Sequence, residues 1–203
     1  MSRENLERSQ CREPIRSTLL EGAERLIRER GYAAFSLPVL AQTLSVEELS
    51  IAKYFRNRED ACTELVERLI LRVGQELGDI YREYGDAQSR LIAYACLRSE
   101  EFVCGVPSLS AALGAAHASL PDTIRTRVSD LLALQLDWIR NVVQDHFGSF
   151  HQRAGVSSTQ AAKLLLVALE GDAMLECVTR EREPSASGYV LMMAVLGLNE
   201  RAE

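Results

Sequence analysis

Alternating runs of Val, Ile and Thr, which mark half-buried strands, are scarce in this 203-residue chain. Turn-forming residues are few as well, with 12 Gly and 5 Pro. Their scarcity argues against a sandwich or barrel built on many tight turns. Ala, Leu, Glu and Arg dominate instead, and these favour helix. The composition therefore predicts an all-α protein.

The 5 cysteines form no CxxC pair and are odd in number. That excludes a zinc ribbon and argues against a disulfide framework, so reduced thiols and a cytoplasmic setting are expected. The opening "MSRENLERSQCREPIR" is polar, with no secretory leader to expect. The longest fully apolar run, "YVLMMAVLGL", is well short of the ~20 residues a spanning helix needs, so no membrane partner is expected.

Catalytic patterns are missing too. The sequence holds no nucleophile elbow, phosphate loop or paired-carboxylate arrangement. "DHFGSFH" places Asp145, His146 and His151 near one another, but that spacing matches no metal motif. No enzymatic activity, metal or cofactor is expected. Charge is unevenly spread: residues 1–60 hold ten basic and ten acidic side chains, so the net charge of −6 falls on the remainder. A neutral first part on an acidic body falls short of a strongly basic nucleic-acid footprint.

What is present is helical periodicity. Ile15, Leu19, Leu20, Ala23, Leu26 and Ile27 form one stripe, with Pro14 suited to its first turn and Gly31 to its stop. Residues 1–13 read as a polar arm. Ser36 suits the N-cap of a short helix carrying Leu37, Leu40, Ala41 and Leu44. A turn at Ser45, Val46 and Glu47 leads to a further helix, 48–55. Longer helices follow at about 59–84, 87–103, 121–148, 157–180 and 184–198, with a short one near 108–118. That makes nine helices. Gly74 and Gly78 within the fourth suggest a close crossing or a bend, Asp86 caps the fifth, and "SSTQ" at 157–160 is a capping box.

Two helices of barely two turns, joined by a tight corner, bury little surface of their own. A helix–turn–helix of this kind serves to present one helix to the major groove while its partner braces it. Val46, Ile51 and Phe55 would hold the presented helix on its bundle, with Glu47, Glu48, Ser50 and Lys53 outward.

The stretch "LLEGAERLIRERGYAAFSLPVLAQTLSVEELSIAKYFRNREDACTEL" resembles the N-terminal domain of TetR-family transcriptional regulators. Their pattern, "ILxAAxxLFxExGYxxxSxxxIAxxxGVSxxxLYxYFxxKExL", is in register at Gly31, Tyr32, Ser36, Val46, Tyr54, Phe55 and Glu59. The resemblance implies a helix-turn-helix domain over residues 1–58 and an effector-binding and dimerisation domain over 59–203. It further implies a homodimer that binds a palindromic double-stranded DNA operator, most simply as a repressor, and is released by a small-molecule effector. DNA-facing positions carried over are Ser36, Gln42, Thr43, Glu47, Glu48, Ser50, Lys53, Tyr54 and Arg58. Arg3, Arg8 and Arg12 on the arm are candidates for the minor groove. This chain departs from the pattern in having Ser45 for the turn glycine, Glu47, Glu48 and Leu49 for small or basic residues, and Ala52 for a common Tyr. Two carboxylates suit the helix dipole, but they face a polyanion unless one accepts from cytosine N4.

In the larger part, Tyr94, Phe102, Cys104, His117 and Trp138 are candidate effector-pocket residues, with Cys96 and Cys104 also candidate reactive thiols. Helices eight and nine would supply the dimer interface through Leu164, Leu165, Ala168, Leu169, Asp172, Leu175, Val190 and Met193. A helical dimeric ligand-binding or interaction protein without operator binding is the competing reading, and Glu47 and Glu48 are its best support.

Overall fold

The computed structural model describes residues 3–101, 106–149 and 157–179. Among these the chain is all-α, with no strand. Eight helices follow in order: α1 Arg3–Arg30, α2 Leu37–Leu44, α3 Glu48–Ile51, α4 Arg58–Glu83, α5 Ala87–Glu101, α6 Leu109–Ala115, α7 Asp122–Ser149 and α8 Ser158–Thr179. Single 3-10 turns lie at Tyr32–Ala34 and His117–Ser119. The ninth helix expected at 184–198 lies outside the described residues.

The chain forms two compact units. The first comprises Met1–Leu69 and Leu109–Val128, the second Ile70–Ser108 and Ser129–Glu203. The boundary expected at residue 58 falls at the start of α4, inside the first unit.

In the first unit, α1 buries Leu19, Leu20, Ala23, Leu26 and Ile27 and packs on α2, where Leu40 and Ala41 are buried; α2 in turn packs on α3, where Ile51 is buried. α1 begins at Arg3, so the arm expected over residues 1–13 is helical from residue 3, and Pro14 stands inside the helix. Glu4, Leu6, Glu7, Arg8 and Gln10, which precede it, are strong helix formers. Close approach occurs at Gly22, where a Cβ would meet Leu44 Cδ1 at 3.0 Å and Leu40 Cδ1 at 3.1 Å. Gly74 and Gly78 do not mark such a crossing. Among the described residues, a Cβ beside Gly74 would find only Leu134 Cδ2 at 3.9 Å, and one beside Gly78 would meet nothing within 4 Å.

Helix ends follow the side chains that satisfy them. Gly31 stops α1 at φ 80°, a backbone conformation that disfavours any residue with a Cβ. Asp60 N–H donates to Asn57 Oδ1 at 2.8 Å, capping α4, and Ser89 N–H donates to Asp86 Oδ1 at 2.8 Å, capping α5. At α8 the capping box closes in both directions. Ser157 N–H donates to Gln160 Oε1 at 2.9 Å, and Gln160 N–H to Ser157 Oγ at 3.2 Å.

The second unit packs α5 against α8 around Leu91, Ala95, Leu131, Ile139, Val142, Val143, Ala162 and Leu166. It also buries polar groups. Gln135 is buried and accepts from Tyr94 Oη at 3.0 Å, and Arg98 is buried in an ion pair with Glu170. No described helix is long and apolar enough to cross a membrane.

Candidate nucleic-acid interface

The corner between α2 and α3 is built by three local devices. Ser36 takes extended backbone angles and its Oγ accepts from Val39 N–H at 3.4 Å, starting α2. At the far end Ser45 adopts the left-handed conformation, φ 55° and ψ 42°, and among the described residues it is the one non-glycine with positive φ. Val46 N–H then donates back to Ala41 O at 3.0 Å, which closes the helix end. This is the position where the family pattern has glycine, and the backbone shows why. A Cβ there is strained by about 1 kcal/mol.

α3 itself is one turn, Glu48–Ile51, shorter than the expected 48–55. Backbone hydrogen bonds continue the coil: Tyr54 N–H and Phe55 N–H both donate to Ile51 O, at 2.8 and 3.1 Å. Ile51 and Phe55 are buried, as expected. Val46 is not; 42% of its surface stays accessible, so it does not anchor the helix. The turn leaves it pointing away from the core that Ile51 fills.

Glu47, Glu48, Leu49 and Lys53 are exposed and Ser50 is half-buried, so this side of α3 faces solvent. Gln42 at the end of α2 is also exposed. Thr43 is half-buried and its hydroxyl donates to Val39 O at 2.8 Å, which leaves only its lone pairs for an outside partner. Tyr54 is half-buried. Arg58 is exposed and its guanidinium lies 4.7 Å over the Tyr32 ring, a cation–π contact that sequence reading did not find. Tyr32 is itself buried. Burial pushes its phenol above the ordinary tyrosine value, opposed by the Arg58 charge. Burial likewise pushes the nearby Cys62 thiol up to about 12, so it is an inert core group. Asp60 is held below the ordinary carboxylate range by hydrogen bonds from Arg56.

Of the expected effector set, the structure describes Tyr94, His117 and Trp138. Tyr94 and Trp138 lie in the second unit with ring centroids 5.5 Å apart, and Trp138 Nε1 is buried with no hydrogen-bond partner among the described residues. His117 is exposed and belongs to the first unit. Its 3-10 turn ends α6 at the surface. Phe102 and Cys104 lie outside the described residues. A groove of about 480 Å³ runs between α4 and α5, lined by Ile80, Tyr84, Ile92, Leu97 and the exposed Cys96, with Glu76, Asp79 and Glu83 on its acidic side. Neither Tyr94 nor Trp138 lines it. Among the described residues no group of three or more potential metal ligands occurs.

The apolar stripe expected on α8 divides in two. Leu165 and Leu169 are buried within the subunit, and Ala168 and Asp172 are half-buried. Leu164 and Leu175 are exposed, together with Val167, Met174 and Val178, which sequence reading did not select. Val190 and Met193 lie outside the described residues.

Residues 19–62 match the model of the bacterial regulatory proteins, tetR family. That segment, α1 to the start of α4, is therefore similar to the N-terminal domain of this family. Solved structures of similar fold include reduced NemR from E. coli, at 20% identity and TM-score 0.76 over 89% of this chain and 96% of that one. A TetR-family regulator from Agrobacterium tumefaciens aligns at 18% identity and TM-score 0.79, over 91% of this chain and 97% of that one. FadR from Bacillus subtilis, solved with stearoyl-CoA, aligns at 17% identity and TM-score 0.62, over 89% and 95% respectively. No curated protein matches in sequence. The TetR fold is thus established across both units, and the family pattern is carried by α1–α4.

Proposed function

We propose that this chain is a TetR-family, ligand-responsive transcriptional regulator, acting in the cytoplasm as a homodimer that represses from a palindromic operator. The observation that carries the reading is the α2–α3 corner. Ile51 and Phe55 are buried beneath a turn of helix whose other side, around Ser50 and Lys53, faces solvent. In the bound state, Ser36, Thr43, Tyr54 and Arg58 would contact backbone phosphates. Lys53 would join them on the backbone, while Gln42, Glu48 and Ser50 would reach base edges.

Dimerisation is supported by α8. Leu164, Val167, Met174 and Val178 leave an exposed apolar face on one helix among the described residues. An isologous pairing of that face would bury it twice over. Effector binding belongs to the second unit. Its buried polar groups and the α4–α5 groove offer shape and polarity, and the stearoyl-CoA bound by the similarly folded FadR supports a small organic effector. A ligand that changed the separation of the two α3 helices would weaken operator binding, because both must dock about 34–36 Å apart or at a multiple of that spacing.

The test is a fluorescence-anisotropy titration against the gene's own upstream duplex at two salt concentrations. Tight binding that falls steeply with salt is expected. Exposure of Glu47 and Glu48 favours the second reading, a helical ligand-binding protein without an operator. Binding without sequence preference even at low salt would establish that reading instead.

A further inference from the structure

Leu49 has 77% of its surface accessible, more than any other large apolar side chain among the described residues. It stands on the first turn of α3, just after the exposed Glu47 and Glu48 and just before the half-buried Ser50. The fold gains nothing from it there. The core beneath α3 is filled by Ile51 and Phe55, and a polar side chain at 49 would leave that packing untouched.

We infer that Leu49 reads the C5-methyl group of a thymine in each operator half-site. The inference rests on the DNA-binding reading above, and it names a specificity element within that surface. Base-pair edges in the major groove present hydrogen-bond donors and acceptors plus a single kind of apolar group, the thymine methyl. Against guanine, adenine or cytosine edges an isobutyl group strips water from polar atoms and returns no hydrogen bond, which is unfavourable. Against the methyl it buries apolar surface on both partners. The carboxylate of Glu48, exposed beside it, sharpens the choice by repelling the two acceptors that guanine presents.

The full-length protein is used to enrich duplexes from a randomised double-stranded library. The enriched duplex is then resynthesised with deoxyuridine replacing thymidine one position at a time, which removes only the methyl. For the wild type, one position in each half-site should lose about fourfold in affinity, the equivalent of one buried methyl group. Leu49→Ala, whose folding is verified by its melting curve, should bind the thymidine and deoxyuridine duplexes equally. Enrichment with no methyl-sensitive position overturns the inference and leaves DNA binding standing. So does a Leu49→Ala protein that keeps the sensitivity. Failure to enrich any duplex overturns the DNA-binding reading and this inference with it.

Discussion

Arg98 of α5 and Glu170 of α8, 72 positions apart in sequence, form a buried ion pair, and Ser108 Oγ donates to the second carboxylate oxygen at 3.3 Å. Arg98 is 5% exposed. Removing the carboxylate leaves a guanidinium charge in the interior of the second unit, a change that typically costs 3–5 kcal/mol. Glu170→Ala should therefore destabilise the protein by about 3 kcal/mol in chemical denaturation. The double variant Arg98→Met, Glu170→Leu should recover most of that loss, because two apolar groups of similar size need no counter-charge. Equal losses for single and double variants would mean the charge balance is unimportant there.

Ser45 sits at φ 55° with a side chain that the left-handed region disfavours. Ser45→Gly should raise stability by about 0.5–1 kcal/mol, measured as a higher denaturation midpoint at unchanged slope. Ser45→Val should do the opposite, since a β-branched residue tolerates that conformation worst.

Asp86 caps α5 and its carboxyl is held below the ordinary value, chiefly by the hydrogen bond from the Ser89 amide. A depressed folded-state pKa means the stabilisation is complete above the unfolded value, near 3.9, and is lost as pH falls through the folded one. Asp86→Ala should cost about 1 kcal/mol at pH 7. The gap between variant and wild type should close as the pH is lowered below about 4. A gap independent of pH would show that the carboxylate charge is not what caps the helix.

Val167 lies on the exposed apolar face of α8. Val167→Lys should convert the proposed dimer to a monomer in light scattering, without lowering helical content, because each copy would bring a charge to the apolar face that pairing buries. Leu165→Lys is the contrasting change. Its side chain is buried within the subunit, so it should unfold the second unit rather than dissociate it.

Much of the architecture is legible in local chemistry. Gly31, Ser36, Asp86 and Ser157 each act on the backbone within a few residues, so helix ends could be read from them directly. Pro14 misled, because a proline at a first turn and one inside a helix look alike when the residues before it are also helix formers. Val46 misled for a similar reason: an apolar residue at a turn satisfies the pattern whichever way the turn carries it. On α8 both faces are apolar, so periodicity could not separate Leu165 and Leu169, which face inward, from Val167 and Val178, which face out. The Arg98–Glu170 pair and the Tyr94–Gln135 hydrogen bond join residues 72 and 41 positions apart, and such partners carry no local signal.

Lys53, exposed on the outer side of α3, reports whether that side meets a duplex. Operator affinity of the wild type and of Lys53→Ala should be followed across a salt series, with log affinity plotted against log salt concentration. Loss of a phosphate contact on each subunit should flatten the slope by about 1 per subunit and weaken binding on every duplex alike. A slope and affinity identical to the wild type would contradict the account.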